Sequence, residues 1–272
     1  MPTPGERFDE LVRIMATLRG PQGCPWDREQ TLASLRPFLL EETYEALEAL
    51  DRGDLDSLRE ELGDLLFEIV FLARIAEEGG YFSVADAAAD VGAKLVRRHP
   101  HVFGDHARLK TAEEVRGKWE EIKSAERGEQ GEQGKTLLGG VPRTLPGLLR
   151  AYEYGSRAAA VGFDWIRAAD VIDKIEEEVR ELRDELSKSA QADERDPARR
   201  VEEEMGDLLF AIANLSRKLG VEPEAALRRA NDKFQARFSV LESRIVGRGE
   251  RLQDKTLEEL ENEWQLVKRD GH

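Results

Sequence analysis

Apolar residues along the chain recur at intervals of three and four, and nowhere does a period of two persist. That spacing predicts amphipathic helices and no sheet, so the expected fold class is all-α. Helices are predicted over 8–19, 32–51, 54–79, 82–98 and 111–125, then over 147–160, 168–189, 197–219, 222–247 and 256–268. The cluster "RGPQGCPWD" (19–27) reads as a breaker, and the polar "SKSAQADERDP" (187–197) as a surface loop. Between the two helix groups, "RGEQGEQGKTLLGGVPRTLPG" (127–147) is rich in glycine and polar residues and reads as a linker.

The pattern is written twice. "ELGDLLFEIVFLAR" (61–74) and "EMGDLLFAIANLSR" (204–217) are identical at nine of fourteen positions. "EETYE" (41–45) answers "EEVRE" (177–181), "KLVRR" (94–98) answers "KFQAR" (233–237), and "KWEEIK" (118–123) answers "EWQLVK" (263–268). Landmarks repeated in the same order at so long a period mean duplicated helical-bundle domains, not solenoid repeats. The expected organisation is a first domain over 8–126, a linker over 127–147 and a second domain over 148–270.

Acids sit in unusual places within this pattern. On the 168–189 helix, Ile172, Ile175, Val179, Leu182 and Leu186 form an apolar stripe. Lys174, Glu178, Glu181 and Glu185 share a sector of about 60° beside it. On the next helix, Leu208, Leu209, Phe210, Ile212, Ala213 and Leu215 cover nearly the whole circumference, which predicts a helix buried in a bundle, with Glu204 and Asp207 at its mouth. One such cluster alone reads as a solvated face, and Lys174–Glu178 as an ordinary i,i+4 pair. Two clusters on consecutive helices, repeated in both halves, point instead to carboxylates that converge and need a cation. Oxygen donors without Cys or His favour Mg²⁺ or Mn²⁺. A di-iron carboxylate bundle is excluded, because none of the four histidines follows a glutamate by three.

Composition narrows the setting. The single cysteine, Cys24, rules out an intrachain disulfide and suits a reducing compartment. No basic-then-apolar leader opens the chain, and no run approaches about 18 apolar residues, so the cytoplasm is expected, with no membrane span. A formal charge of −15 argues against nucleic acid as a partner.

With Glu-x-x-Glu on one helix and Glu-x-x-Asp on the next, the chain resembles the all-α nucleoside triphosphate pyrophosphohydrolases. "GCPWDREQTLASLRPFLLEETYE" (23–45), "ELGDLLFEIVFLA" (61–73) and "RRHPHVF" (97–103) carry a resemblance to the tandem two-domain members that spans essentially the whole chain. The resemblance implies Mg²⁺-dependent hydrolysis of NTPs or dNTPs to monophosphate and pyrophosphate, a homodimer, and a role in clearing unwanted nucleotides. It implies metal ligation by Glu178, Glu181, Glu204 and Asp207, and nucleotide contacts from Lys174, Arg200, Lys233, Arg237 and Trp264. Lys268 is a further candidate contact. Glu177 or Glu203 is a candidate to take the proton from the attacking water. On their residues alone, Trp264 also reads as a core tryptophan, and Lys233 and Arg237 as solvated cations.

The first half repeats the quartet as Glu42, Glu45, Glu61 and Asp64, and the cation pair as Lys94 and Arg98, but Phe38 stands where Lys174 stands in the second. Its two acidic helices are also joined by a shorter loop. In two-domain relatives the second half is the working one, so the second domain is expected to be the main catalytic one and the first structural, regulatory or weakly active. Two other functions remain open: a non-catalytic nucleotide sensor or partner-binding scaffold, and an enzyme narrowed to dUTP or dCTP. A scaffold needs no metal quartet, and the tandem arrangement favours the broad-range enzyme.

Overall fold

The computed structural model describes residues 1–104, 111, 114, 115, 118, 122, 136–189 and 197–271. The chain divides into two compact units, Met1–Arg127 and Gly128–His272, and no strand occurs among the described residues. The fold is all-α.

The first unit contains α1 (Pro4–Leu18), α2 (Pro25–Glu29), α3 (Arg36–Arg52), α4 (Leu55–Glu78), α5 (Val84–Arg98) and α6 (Pro100–Phe103). Helix α1 starts four residues before the expected position because Thr3 and Glu6 form a capping box, the Glu6 carboxylate accepting the Thr3 amide at 2.6 Å. Pro4 then occupies the first turn, where its missing N–H costs nothing. Helix α3 starts four residues later than expected. The Thr31 and Ser34 amides each donate to the other residue's hydroxyl, at 2.9 and 3.2 Å, and hold a turn there. The short α2 begins inside the stretch expected to be only a breaker and runs two residues past it.

Helices α3 and α4 form a hairpin across two residues. Gly53 takes the left-handed conformation (φ 69°) that ends α3, and the Asp54 carboxylate caps α4 by accepting from the amides of Asp56 and Ser57. So tight a turn makes the helices antiparallel neighbours. Met15, Leu35, Val70 and Phe71 form the core, with Phe8, Phe38 and Phe67 against it. Arg19 ties α1 to α4, its guanidinium reaching Glu78 at 2.6 Å and lying 5.6 Å from the Phe71 ring centre.

The second unit contains α7 (Gly147–Ala160), α8 (Ala168–Ser189), α9 (Pro197–Lys218), α10 (Pro223–Gly247), a 3₁₀ turn at Leu252–Asp254 and α11 (Leu257–Arg269). Helix α9 packs against both α8 and α7, while α11 lies on α10 around Leu241, Ile245 and Val267. The expected helix over 111–125 falls largely outside the described residues, as do 190–196 of the expected loop and 127–135 of the expected linker.

Two packing expectations are overturned. Helix α9 is not buried all round: Met205, Leu209 and Ile212 are 43 %, 45 % and 38 % exposed, while Ala211, Ala213 and Asn214 face inward. On α8 the buried positions are Val171 and Glu178, and Ile172, Val179 and Leu186 of the apolar stripe are exposed. A small-residue seam explains the first result. Gly155 of α7 lets α9 approach so closely that a Cβ there would lie 2.1 Å from Asn214 Oδ1. The close contact then falls on Ala211, Ala213 and Asn214, and the larger side chains turn outward.

Gly155→Ala should therefore destabilise the protein by about 1–3 kcal/mol. Gly92→Ala, where nothing lies within 4 Å, should be neutral or stabilising. Urea melts of the two variants provide the comparison.

Candidate metal centre and nucleotide site

The α3–α4 hairpin brings its acids level. Glu45 lies seven residues before Arg52, and Glu61 six residues after Leu55. At 1.5 Å rise per residue both stand at nearly one height above the turn. Carboxylate oxygens of Glu42, Glu45 and Glu61 accordingly lie within 4.8 Å of one another. In the second unit, Glu181 lies eight residues before Ser189 and Glu204 seven after Pro197, and Glu178, Glu181 and Glu204 form the matching group within 4.8 Å. Each group is assembled within one chain. Asp64 and Asp207, one turn further along and exposed, stand outside these three-carboxylate groups.

Electrostatics mark both groups as strained. Burial, then the charges of Glu181, Glu178, Asp207 and Glu185, push the Glu204 carboxyl up. Burial, then Asp64, Glu45, Glu61 and Glu41, do the same to Glu42. Glu61 is raised by burial and by Glu45. Bringing acids this close costs free energy in the absence of a counter-ion. The donors are all carboxylate oxygens, so each group suits a hard divalent cation.

The units differ in how they compensate that charge. Glu178 is only 4 % exposed and meets the Lys174 ammonium at 2.7 Å, which also reaches Glu177 at 2.8 Å. Those hydrogen bonds hold Lys174 well above the usual lysine range and Glu177 below the usual carboxylate range. In the first unit, Phe38 meets Trp26 edge-on at 5.7 Å and packs on the core, so among the described residues Glu42 has no such partner.

The remaining candidates are dispersed. Glu203 is exposed and pairs with Arg199 at 3.0 Å, and Arg200 pairs with Glu185 at 3.2 Å. Lys233 is exposed and Arg237 half-buried, one turn apart on α10. Trp264 is half-buried against the α10–α11 core and Phe234 (5.2 Å), with the Lys268 ammonium 5.5 Å from its ring centre. Among the described residues no ion pair or ring contact of Lys233, Trp264 or Lys268 reaches the carboxylates. In the first unit Lys94 is exposed and Arg98 half-buried on α5.

Two features escaped sequence reasoning. Asp164 holds Arg217, and Lys218 at 2.6 Å, fixing the end of α9. Burial would raise its carboxyl, but the two cations outweigh burial and hold it low. Glu68, one turn beyond Asp64, is 5 % exposed, and its Oε2 has no hydrogen-bond partner. Burial, then the charges of Glu42 and Asp64, push it up. Its signal in the sequence was the i,i+3,i+7 spacing Glu61, Asp64, Glu68 on one helical face.

Acids with raised folded-state pKa values add stability below their ordinary range, and lose that contribution as pH rises through the raised values. With chelator present, the melting temperature should climb as pH falls from 7 towards about 5, driven by Glu42, Glu61, Glu68 and Glu204. Glu78 and Asp164, both lowered, oppose this only at more acid pH. Saturating Mg²⁺ should flatten the climb. A pH-independent melt in chelator would contradict the electrostatic account.

Comparison with known proteins agrees with the duplicated architecture. The MazG nucleotide pyrophosphohydrolase domain matches twice, at residues 30–103 and 168–239, and each match contains one carboxylate group. A nucleoside triphosphate pyrophosphohydrolase of Escherichia coli K12 is 47 % identical over 264 residues, 97 % of each chain. The nucleoside triphosphate pyrophosphohydrolase/pyrophosphatase MazG of Thermotoga maritima is 43 % identical over 268 residues, 98 % of each chain. The matching family domain in both halves, and relatives this similar along the full length, place the chain in the MazG nucleotide pyrophosphohydrolase family as a tandem two-domain member.

Proposed function

We propose that the protein hydrolyses nucleoside and deoxynucleoside triphosphates to the monophosphate and pyrophosphate, with Mg²⁺, in the cytoplasm, as a broad-range cleaner of nucleotide pools. The observation that carries this reading is the convergent, partly buried carboxylate group inside a domain of this family.

Glu178, Glu181 and Glu204, with Asp207 one turn away, would hold Mg²⁺, or Mn²⁺ in its place. The cation, when bound, supplies neutralisation of the phosphate oxygens and a water of lowered pKa for attack at the α-phosphorus. The chain supplies the rest. Lys174 holds Glu178 in place through their ion pair, and stands ready to meet phosphate charge as the nucleotide arrives. Arg200, Lys233 and Arg237 supply cations for the leaving pyrophosphate. Trp264, with Lys268 beside it, offers a ring face on which any base can stack. Glu177, held ionised by Lys174, or the exposed Glu203 accepts the proton.

The second unit carries the main activity in this reading. Lys174 supports it: the ammonium has no counterpart in the first unit, where Phe38 serves the core instead. Homodimer formation is supported by the outward apolar stripes Met205–Leu209–Ile212 on α9 and, in register, Leu62–Leu66–Ile69 on α4, all exposed.

Incubation with the eight common NTPs and dNTPs should yield monophosphate plus pyrophosphate, abolished by EDTA. Diphosphate plus orthophosphate would place the attack at the γ-phosphorus and refute the mechanism. Glu204→Gln should reduce turnover about 100-fold or more, whereas Glu61→Gln should leave most of it. Activity that survives Glu204→Gln with Asp207→Asn but dies with Glu61→Gln would reverse the assignment of the halves. For the oligomer, light scattering should give a dimer that Leu66→Asp with Leu209→Asp dissociates. A monomeric wild type would end the dimer reading.

A further inference from the structure

The two carboxylate groups are not equivalent, and Glu68 makes the difference. Aligned through the repeat, Glu61 matches Glu204, Asp64 matches Asp207, and Glu68 matches Ala211. Both of these last side chains are buried, so one duplicated position holds a methyl group in one unit and a carboxylate in the other. Four residues before the first glutamate of each group, the first unit has Phe38 and the second Lys174. The first unit sets Asp64 and the buried Glu68 further along the α4 face that carries Glu61 in the Glu42–Glu45–Glu61 group, and among the described residues none of the five is ion-paired to Lys, Arg or His. In the second, Lys174 is bonded to the buried member, Glu178, and Glu185, close enough to raise Glu204, is paired with Lys188 and Arg200.

Glu68 lacks any of the usual reasons for a buried acid. Among the described residues no lysine or arginine pairs with it, and its Oε2, sealed from solvent, has no hydrogen-bond partner. Its carboxylate faces Glu42 and Asp64 closely enough to feel both charges. A buried carboxylate oxygen without a partner, near enough to Glu42 of the three-acid group to feel its charge, offers a further donor to a hard divalent cation, whose affinity rises with the number of charged oxygens around it. We propose that Glu68 makes the first unit a resident divalent-cation site, filled without nucleotide, while the second unit takes its cation together with the triphosphate. This inference rests on the reading of the carboxylate groups as cation sites.

The division of labour has a charge argument behind it. A triphosphate brings about four negative charges, and the second unit meets it with acids already compensated by Lys174, Lys188 and Arg200. The first unit has no lysine at that position and a buried acid, Glu68, where the second has Ala211, so an anion is less welcome there and a bare cation more so. The first site would then serve as a structural clamp between α3 and α4, bridging acids that otherwise repel.

The test is Mn²⁺ binding to the full-length protein without nucleotide, followed by electron paramagnetic resonance of the free ion. One tight site per chain is expected. Two equivalent sites, or none, would overturn the proposal, and this wild-type result stands whatever the variants do. Glu68→Gln, of the same shape without the charge, should weaken that site by about 10- to 100-fold, and Glu204→Gln should leave it unchanged. Unaltered affinity in Glu68→Gln, or loss of the site in Glu204→Gln, would refute the assignment. Melts in chelator check folding: Glu68→Gln should be at least as stable as wild type without metal and should lose the Mn²⁺-dependent rise. Turnover does not enter these readouts, so a failed pyrophosphohydrolase assay with normal Mn²⁺ binding would count against the proposed reaction and not against this site.

Discussion

Repulsion between carboxylates gathered on neighbouring helices shapes both units. Each hairpin or helix pair sets its acids at one height, and burial, then their proximity, raises the carboxyls of Glu42, Glu61 and Glu204. A fold spends stability in this way where the charge has a use, and the matching geometry in two units of a duplicated chain gives that use a common origin. The rest of each unit holds the acids in place. Gly53 and Asp54 make the turn that aligns Glu45 with Glu61, and the Asp164–Arg217–Lys218 cluster anchors the far end of the helix that carries Glu204.

Duplication followed by divergence explains why two similar sequences compensate the same charge differently. In the second unit a lysine lies one helical turn before the buried glutamate and neutralises it. In the first, the corresponding side chain is aromatic and packs on the core, while a buried acid, Glu68, stands at a position that is alanine in the other half. The apolar stripes have not diverged. Leu62, Leu66 and Ile69 keep the register of Met205, Leu209 and Ile212, and exposed apolar side chains repeated at matching positions are a shared surface property, not an accident of one helix.

Much was legible because the signals were local. The bounds of α8 and α9 followed from periodicity, with Ala168 and Pro197 opening them. The repeat was visible because it is written in consecutive residues, and Glu178, Glu181 and Glu204 were identifiable from spacing plus repetition. The start of α1 was missed because Pro4 and Gly5 look like breakers until Thr3 and Glu6 are recognised as a reciprocal cap.

The sequence by itself determined the helical class, the duplication and the presence of paired acidic motifs, since each depends on residues within a few turns of one another. Tertiary structure alone decided which side of each helix is covered. Helix α9 is apolar nearly all round, and only the close approach allowed by Gly155 shows that its alanines face inward and its larger side chains outward. On α8 the hydrophobic stripe would have been assigned to the core, yet Glu178 is buried and Ile172 is not. Glu68 carries the same lesson: its spacing was readable, but its burial and its orphaned oxygen arise from the packing of α3 against α4, a contact between segments that no periodicity encodes.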